Sequence, residues 1–146
     1  MKLSDNFTLE EMILSRTAVA NGIDNTPPAA IVAKLKRTAA GLEQVRALLG
    51  QRMLVQSGYR CPALNRMVGG APASQHLTGE ACDFIAPEFG VPLAVAKAIE
   101  KSGVPFDQLI HEFGSWVHVS FVAEHPRGQT LTIDRLGTRS GLLPAR

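Results

Sequence analysis

The chain is poor in the features that most quickly class a protein. It has two cysteines, Cys61 and Cys82, in 146 residues, too few for a disulfide framework. Three readings of that pair stand open: buried small hydrophobes, a disulfide, or metal ligands. The lack of a C-x-x-C spacing and a reducing compartment favour the first. Charge is nearly balanced, at +2, which gives no reason to expect nucleic acid as a partner. The one basic run, Lys34-Leu35-Lys36-Arg37, reads as the solvated face of a helix. No apolar run approaches the length that crosses a bilayer, so no membrane insertion is expected. The start, Met1-Lys2-Leu3-Ser4-Asp5-Asn6, lacks the apolar stretch of a secretory signal. The expectation is synthesis and folding in a cytoplasm, with another agent needed to reach any substrate outside. Internal repeats and low-complexity tracts are missing too.

What is present suits one globular domain over residues 1–146, with 45% apolar and 19% charged residues and enough length to bury a core without staples. Thr8-Leu9-Glu10-Glu11 is a capping box that opens a short helix expected to end before Asn21-Gly22. Asn25-Thr26-Pro27-Pro28 is read as the cap and start of a long helix. Its apolar positions, among them Ile31, Leu35, Leu42, Val45 and Leu49, recur at helical spacing up to Gly50. A strand over 53–57, a short helix over 62–67 and a Gly-, Ala- and Pro-rich loop over 68–74 follow. Then come a strand over 81–85, a helix over 92–101 stopped by Gly103, and strands over 106–113 and 116–122 about a tight turn at Gly114. Residues 130–133 are a candidate for one more strand, and the tail after Gly137 reads as loosely ordered. N-terminal helices followed by a mostly antiparallel sheet make an α+β domain.

Three side chains on the sheet-forming part carry the chemistry. His76 and Asp83, in Ser74-Gln75-His76-Leu77-Thr78-Gly79-Glu80-Ala81-Cys82-Asp83, and His118, in Trp116-Val117-His118-Val119-Ser120, are two imidazoles and a carboxylate. That is the ligand count of a catalytic zinc whose fourth position stays open. The small residues Ser74, Gly79 and Ala81 let the backbone turn sharply from loop to strand. An alternating strand buries one face, and a buried His118 then needs a partner, of which a metal is one.

A hydrolytic site also wants a general base, and the hairpin decides which residue supplies it. A two-residue loop at Gly114-Ser115 pairs 113 with 116 and sets His111 opposite His118. A three-residue loop pairs 112 with 116 and puts Glu112 on the face of Trp116 and His118. The three-residue register is the expectation, because glutamate suits the role better; the plain alternative is a solvated edge-strand carboxylate. Arg60 sits on a loop where a guanidinium grips a carboxylate or phosphate bidentately, with a surface salt bridge as the alternative. Tyr59 and Gln56 are further candidates to orient substrate, although nothing in their spacing compels it. His125, beside Pro126, reads as exposed.

Taken together, Ser57-Gly58-Tyr59-Arg60, Asn65, S-x-H-x-x-G-x-A-x-D from Ser74 to Asp83, and Trp116-Val117-His118-Val119-Ser120 resemble the M15 peptidases. These are zinc D-alanyl-D-alanine peptidases and phage endolysins of the Hedgehog/DD-peptidase fold. The segments 6–12 and 22–28 are similar to small phage and prophage members, so the likeness runs to about Val122. The resemblance implies one Zn2+ per chain on His76, Asp83 and His118, with Arg60 contacting substrate or stabilising the oxyanion and Ser74 in the substrate site. Some members place a glutamate three residues before the last zinc histidine, where this chain has Ser115; others place it earlier, as Glu112 is. The activity implied is hydrolysis of peptidoglycan stem peptides, as a D,D-carboxypeptidase or an endopeptidase of the lysin type; the oligomeric state is open, with a monomer favoured. Access to the cell wall would come through a holin or on a virion. A virion-associated protein and a zinc- or peptidoglycan-binding module without turnover are the rival readings.

Overall fold

The first departure from expectation comes within twenty residues of the start. In the computed structural model, which describes residues Met1–Arg146, the capping box forms: the Thr8 hydroxyl accepts from the Glu11 amide and the Glu11 carboxylate accepts from the Thr8 amide. The expected single helix is nevertheless two, α1 (Leu9–Ile13) and α2 (Arg16–Ala20). Leu14 is extended, and the Ser15 hydroxyl accepts from the Ala18 amide as a second N-cap. A serine that satisfies a free amide at a new helix start competes with its own place inside a continuing helix. The result is a corner at Leu14-Ser15.

The long helix α3 (Ala29–Leu49) buries Leu35, Ala39, Leu42, Val45 and Leu49 at helical spacing, and Gly50 ends it in the left-handed conformation. Its start corrects the sequence reading. Pro28 is the N-cap residue and no side chain caps the helix, so Asn25 is spent elsewhere. The basic run behaves as expected, with Lys36 and Arg37 exposed, Lys34 half-buried and Leu35 buried between Lys34 and Lys36.

The remaining elements are β1 (Leu54–Ser57), α4 (Pro62–Met67), β2 (Ala81–Ile85), α5 (Pro92–Ser102), β3 (Gln108–Glu112), β4 (Trp116–Ser120), β5 (Gln129–Asp134) and β6 (Gly137–Ser140). They form one six-stranded sheet in the order β1-β2-β4-β3-β5-β6. Every pairing is antiparallel except β3 with β5, so the architecture is the expected α+β. Strands β3 and β4 are shorter than the sequence suggests, and Phe106 and Phe121 beyond their ends are buried in the core.

The tail is the second correction. Residues after Gly137 form β6 instead of a loose end, and beyond it the Arg146 amide and guanidinium bond the buried Asp134 carboxylate. The overlooked signal was the pair Asp134 and Gly137, which face each other across a two-residue turn. The Leu136 amide donates to the Asp134 carboxylate there, an Asx-type turn.

Strand alternation divides the sheet into two faces. Cys82, Phe84, Leu109, Val117 and Val119 pack with the apolar sides of α3 and of α5, whose Val95, Ala96 and Ile99 are fully buried. Both cysteines are free thiols, Cys82 buried and Cys61 half-buried. The opposite face carries Asp83, Glu112, Trp116 and His118.

Candidate metal centre

Pairing of β2 with β4 puts Asp83 directly opposite His118, and their side chains meet on the face away from the helices. Asp83 Oδ1 lies 2.9 Å from His118 Nδ1, and Asp83 Oδ2 lies 3.2 Å from His76 Nε2. All three residues are buried, and one ligand atom from each falls within 4.8 Å of the others. The two imidazole rings meet edge to face at 5.1 Å. Burial works against the charge on Asp83, but His76 and His118 outweigh it and hold the carboxyl well below the usual range.

His76 comes from a loop, so its precision has to be built. Its Nδ1 lies 2.6 Å from the Gly58 carbonyl. A carbonyl only accepts, so Nδ1 carries a proton, which leaves Nε2, 3.2 Å from Asp83 Oδ2, as the nitrogen available to a metal. An outer hydrogen bond of this kind commonly orients a metal-binding histidine. The His76 amide donates to Ser74 Oγ at 3.1 Å, and the His76 carbonyl accepts from the Arg60 amide at 3.0 Å. Thr38 on α3 donates to the Gly79 carbonyl at 2.6 Å, and Gln75 donates to Asp107 at 2.9 Å. Two glycines make the approach possible. A Cβ on Gly58 would lie 2.2 Å from the Met12 carbonyl oxygen, and Gly79 has φ +77 with Ile31 at 3.0 Å from where a Cβ would sit.

The donor set fits a divalent metal. Ion-to-ligand bonds of about 2.0–2.1 Å in a tetrahedron place neighbouring donors roughly 3.3 Å apart. The imidazole-to-carboxylate separations, 2.9 Å to Oδ1 and 3.2 Å to Oδ2 of Asp83, are of that order. The cluster has three members and no fourth His, Cys, Asp or Glu, which is the composition of an open site.

The hairpin takes the three-residue register. Glu112 pairs with Trp116 and Ile110 with His118. Phe113 and Gly114 both have positive φ, and the Ser115 amide donates to the Glu112 carbonyl at 2.9 Å. Glu112 therefore shares the face of His118, with Oε1 at 3.6 Å from His118 Nδ1. His111 points to the other face, where its Nδ1 meets the Leu143 carbonyl at 2.9 Å. Glu112 is not a solvated edge carboxylate, because β3 is interior to the sheet and its side chain is only 16% exposed. Burial raises its pKa and the charge of Asp83 adds to that, against His118, the nearby Trp116 indole N–H and Arg60. The indole N–H is buried and closes no hydrogen bond of good geometry.

A cleft of about 670 Å³ runs from Asp83 and Trp116 past Arg60 to the α1–α2 corner. Arg60 is weakly held there: one terminal nitrogen lies 3.4 Å from Ser74 Oγ, and its buried Nε has no partner. Burial draws its pKa down while Asp83 and Glu112 support the charge. Gln56 is exposed on the cleft at a bulge between Val55 and Ser57. Tyr59 also lines it, but is 6% exposed and packs into the core. Ser74 is absent from the cleft wall and instead braces the His76 amide and Arg60. His125 is exposed, as expected. Sequence reasoning missed Trp116 as a cleft residue, Asn25, and the α1–α2 corner with Arg16.

A family model described as Peptidase M15 matches residues 5–120. No curated protein matches the chain. The match spans most of the chain and takes in the metal cluster, Glu112 and Arg60. The chain belongs to the peptidase M15 family, and with it to the metallopeptidases.

Proposed function

We propose that this M15 family member is a zinc peptidase that hydrolyses peptide bonds in the stem peptides of peptidoglycan. His76, Asp83 and His118 are its metal ligands and Glu112 its general base. The observation that carries the reading is the sharing of one sheet face: a three-donor cluster with a buried carboxylate 3.6 Å from one of its imidazoles. Two imidazoles, one carboxylate and an open position are a donor set that suits zinc. The stem-peptide substrate is supported by the likeness of the S-G-Y-R, S-x-H and W-x-H segments to cell-wall peptidases.

A bound zinc ion supplies Lewis-acid polarisation of the scissile carbonyl and makes water acidic near neutral pH. Glu112 takes a proton from the attacking water on a carboxylate oxygen and returns it to the departing amine nitrogen. One C–O bond forms and one C–N bond breaks, leaving a carboxylate and an amine. The raised proton affinity of the buried Glu112 suits both halves of that transfer. Arg60, whose buried Nε has no partner in the protein, faces the charge that develops on the carbonyl oxygen. Gln56 and Tyr59 contact the peptide along the cleft, and Ser74 supports Arg60. The protein acts as a monomer and reaches the wall through a holin or on a virion; no helix is long and apolar enough to cross a membrane.

One observation favours a second reading. Ser115 stands where some family members carry the catalytic glutamate, so a peptidoglycan-binding protein without turnover is the alternative. Digestion of purified peptidoglycan by the zinc-loaded protein, with and without chelator, separates the two. Mass analysis should find new stem-peptide fragments that vanish with chelator; intact peptidoglycan after digestion overturns the peptidase reading. Loss of a terminal residue marks a carboxypeptidase, and an internal cut an endopeptidase.

A further inference from the structure

Asn25 is 8% exposed and lies outside every helix and strand, just ahead of a helix that no side chain caps. An asparagine there has an obvious use as a cap, and this one is committed otherwise. Its Nδ2 donates to the Ile13 carbonyl at 2.8 Å and to the Tyr59 carbonyl at 3.0 Å, and its Oδ1 accepts from the Cys61 amide at 2.8 Å. Both donors and the acceptor are used, and turning the amide over would set its oxygen against two carbonyls, so the orientation is fixed by its partners.

The partners are not scattered. The Tyr59 carbonyl and the Cys61 amide belong to the two peptide groups that flank Arg60. Ile13 ends α1, and the residues after it, Leu14 to Thr17, form the opposite side of the cleft. One buried amide therefore grips the Arg60 backbone on both sides and ties it across to the α1–α2 corner. The guanidinium itself has only the Ser74 contact to steady it, so its position depends on the backbone beneath.

We propose that Asn25 is the positioning residue for Arg60, setting where the guanidinium stands in the cleft. The proposal rests on Arg60 acting on the substrate as read above. Asn25 contacts none of the metal ligands. The one link toward them is the Arg60 amide, which donates to the His76 carbonyl. The His76 ring is held separately by the Gly58 carbonyl, so the metal should stay in place.

The test is a double-mutant cycle with the zinc-loaded protein on purified peptidoglycan. It uses Asn25→Ala, and the closer isostere Asn25→Asp in case the alanine variant does not fold. Asn25→Asp keeps the acceptor for Cys61 but puts oxygen against the Ile13 and Tyr59 carbonyls. Either variant should keep its zinc and lose about 100-fold in kcat/KM, the scale of a displacement of about 1 Å at a reacting group. In an Arg60→Ala background the same change should cost little more, because the group it positions is gone. Equal losses in both backgrounds, or loss of zinc, overturns the proposal. Amide hydrogen exchange at Cys61 gives a readout free of activity: Asn25→Ala should speed it, and unchanged exchange overturns the tie. An inactive wild type overturns the functional reading and the catalytic half of this proposal, while exchange at Cys61 still judges the tie.

Discussion

On β2 and β4, Cys82, Phe84, Val117 and Val119 face the helices, while Asp83 and His118, their immediate neighbours in sequence, face the cleft. The first set joins a cluster running from Phe7 to Leu142. The second consists of ionisable groups, buried yet joined by a hydrogen bond between His118 Nδ1 and Asp83 Oδ1. Alternation along a strand permits both, since a step of one residue changes the face. The helix face holds the sheet flat side to α3 and α5, and the other face spends that rigidity on placing ligand atoms. Stability and chemistry should therefore separate by face, although the residues interleave.

The largest effects belong to the cleft face. His76→Ala removes one of three donors and opens the Gly58 carbonyl, so the variant should retain no stoichiometric zinc by elemental analysis and show no turnover. Zinc held at the wild-type level would remove His76 from the ligand set. Glu112→Gln keeps the shape and loses the base. It should bind zinc normally and hydrolyse peptidoglycan about 10²–10⁴-fold more slowly, the usual worth of a general base. Unchanged turnover would take Glu112 out of the mechanism.

The helix face should answer in the opposite way. Ile99 on α5 is fully buried, and Ile99→Ala should cost about 2–5 kcal/mol of unfolding free energy in denaturant titration. That is a large part of the roughly 5–15 kcal/mol typical of a domain. Activity per folded molecule should stay within a few-fold of wild type, roughly the range left by a remote packing change. A loss as deep as that of Glu112→Gln would break the separation of faces.

Much of this arrangement was legible because it rests on local rules. The period of α3, the Gly stops at Gly50 and Gly103, and the strand at Ala81–Ile85 follow from spacing and backbone preference. The hairpin register followed from the tolerance of Phe113-Gly114-Ser115 for a three-residue loop, together with the chemistry expected of Glu112. What escaped was set by tertiary partners. Asn25 looks like a cap in one dimension and proves to bind three backbone groups 12 to 36 residues away. The break at Leu14-Ser15 joins a local cap at Ser15 to distant partners. Tyr59 and Asn25 take up the Met12 and Ile13 carbonyls at the end of α1; Ser15 alone is tolerable within a helix. The tail was misjudged for a more local reason: Asp134 draws Arg139 and Arg146 to itself, 5 and 12 residues further on, and the Asx-type turn before Gly137 went unread.

The smallest effect sharpens the contrast between a carboxylate used for chemistry and one used for support. Asp107 lies just before β3 and accepts from Gln75, the neighbour of His76, and from the Arg127 amide and guanidinium. Arg127 holds its carboxyl down to about 2. A carboxyl whose folded pKa is depressed contributes stability in full above its unfolded value, about 3.9. That contribution drains away as pH falls from roughly 4 toward 2, where the folded group takes up its proton. The Arg127 side chain is 53% exposed, so solvent screens the pair and the contribution should stay within about 1 kcal/mol. Thermal unfolding of wild type should thus lose stability between pH 4 and pH 2 more steeply than that of Asp107→Asn. At neutral pH the variant should keep its zinc and most of its turnover. Parallel acid profiles would deny Asp107 its ionic role, and loss of zinc in Asp107→Asn would mean that support and chemistry are not separable on this side of His76.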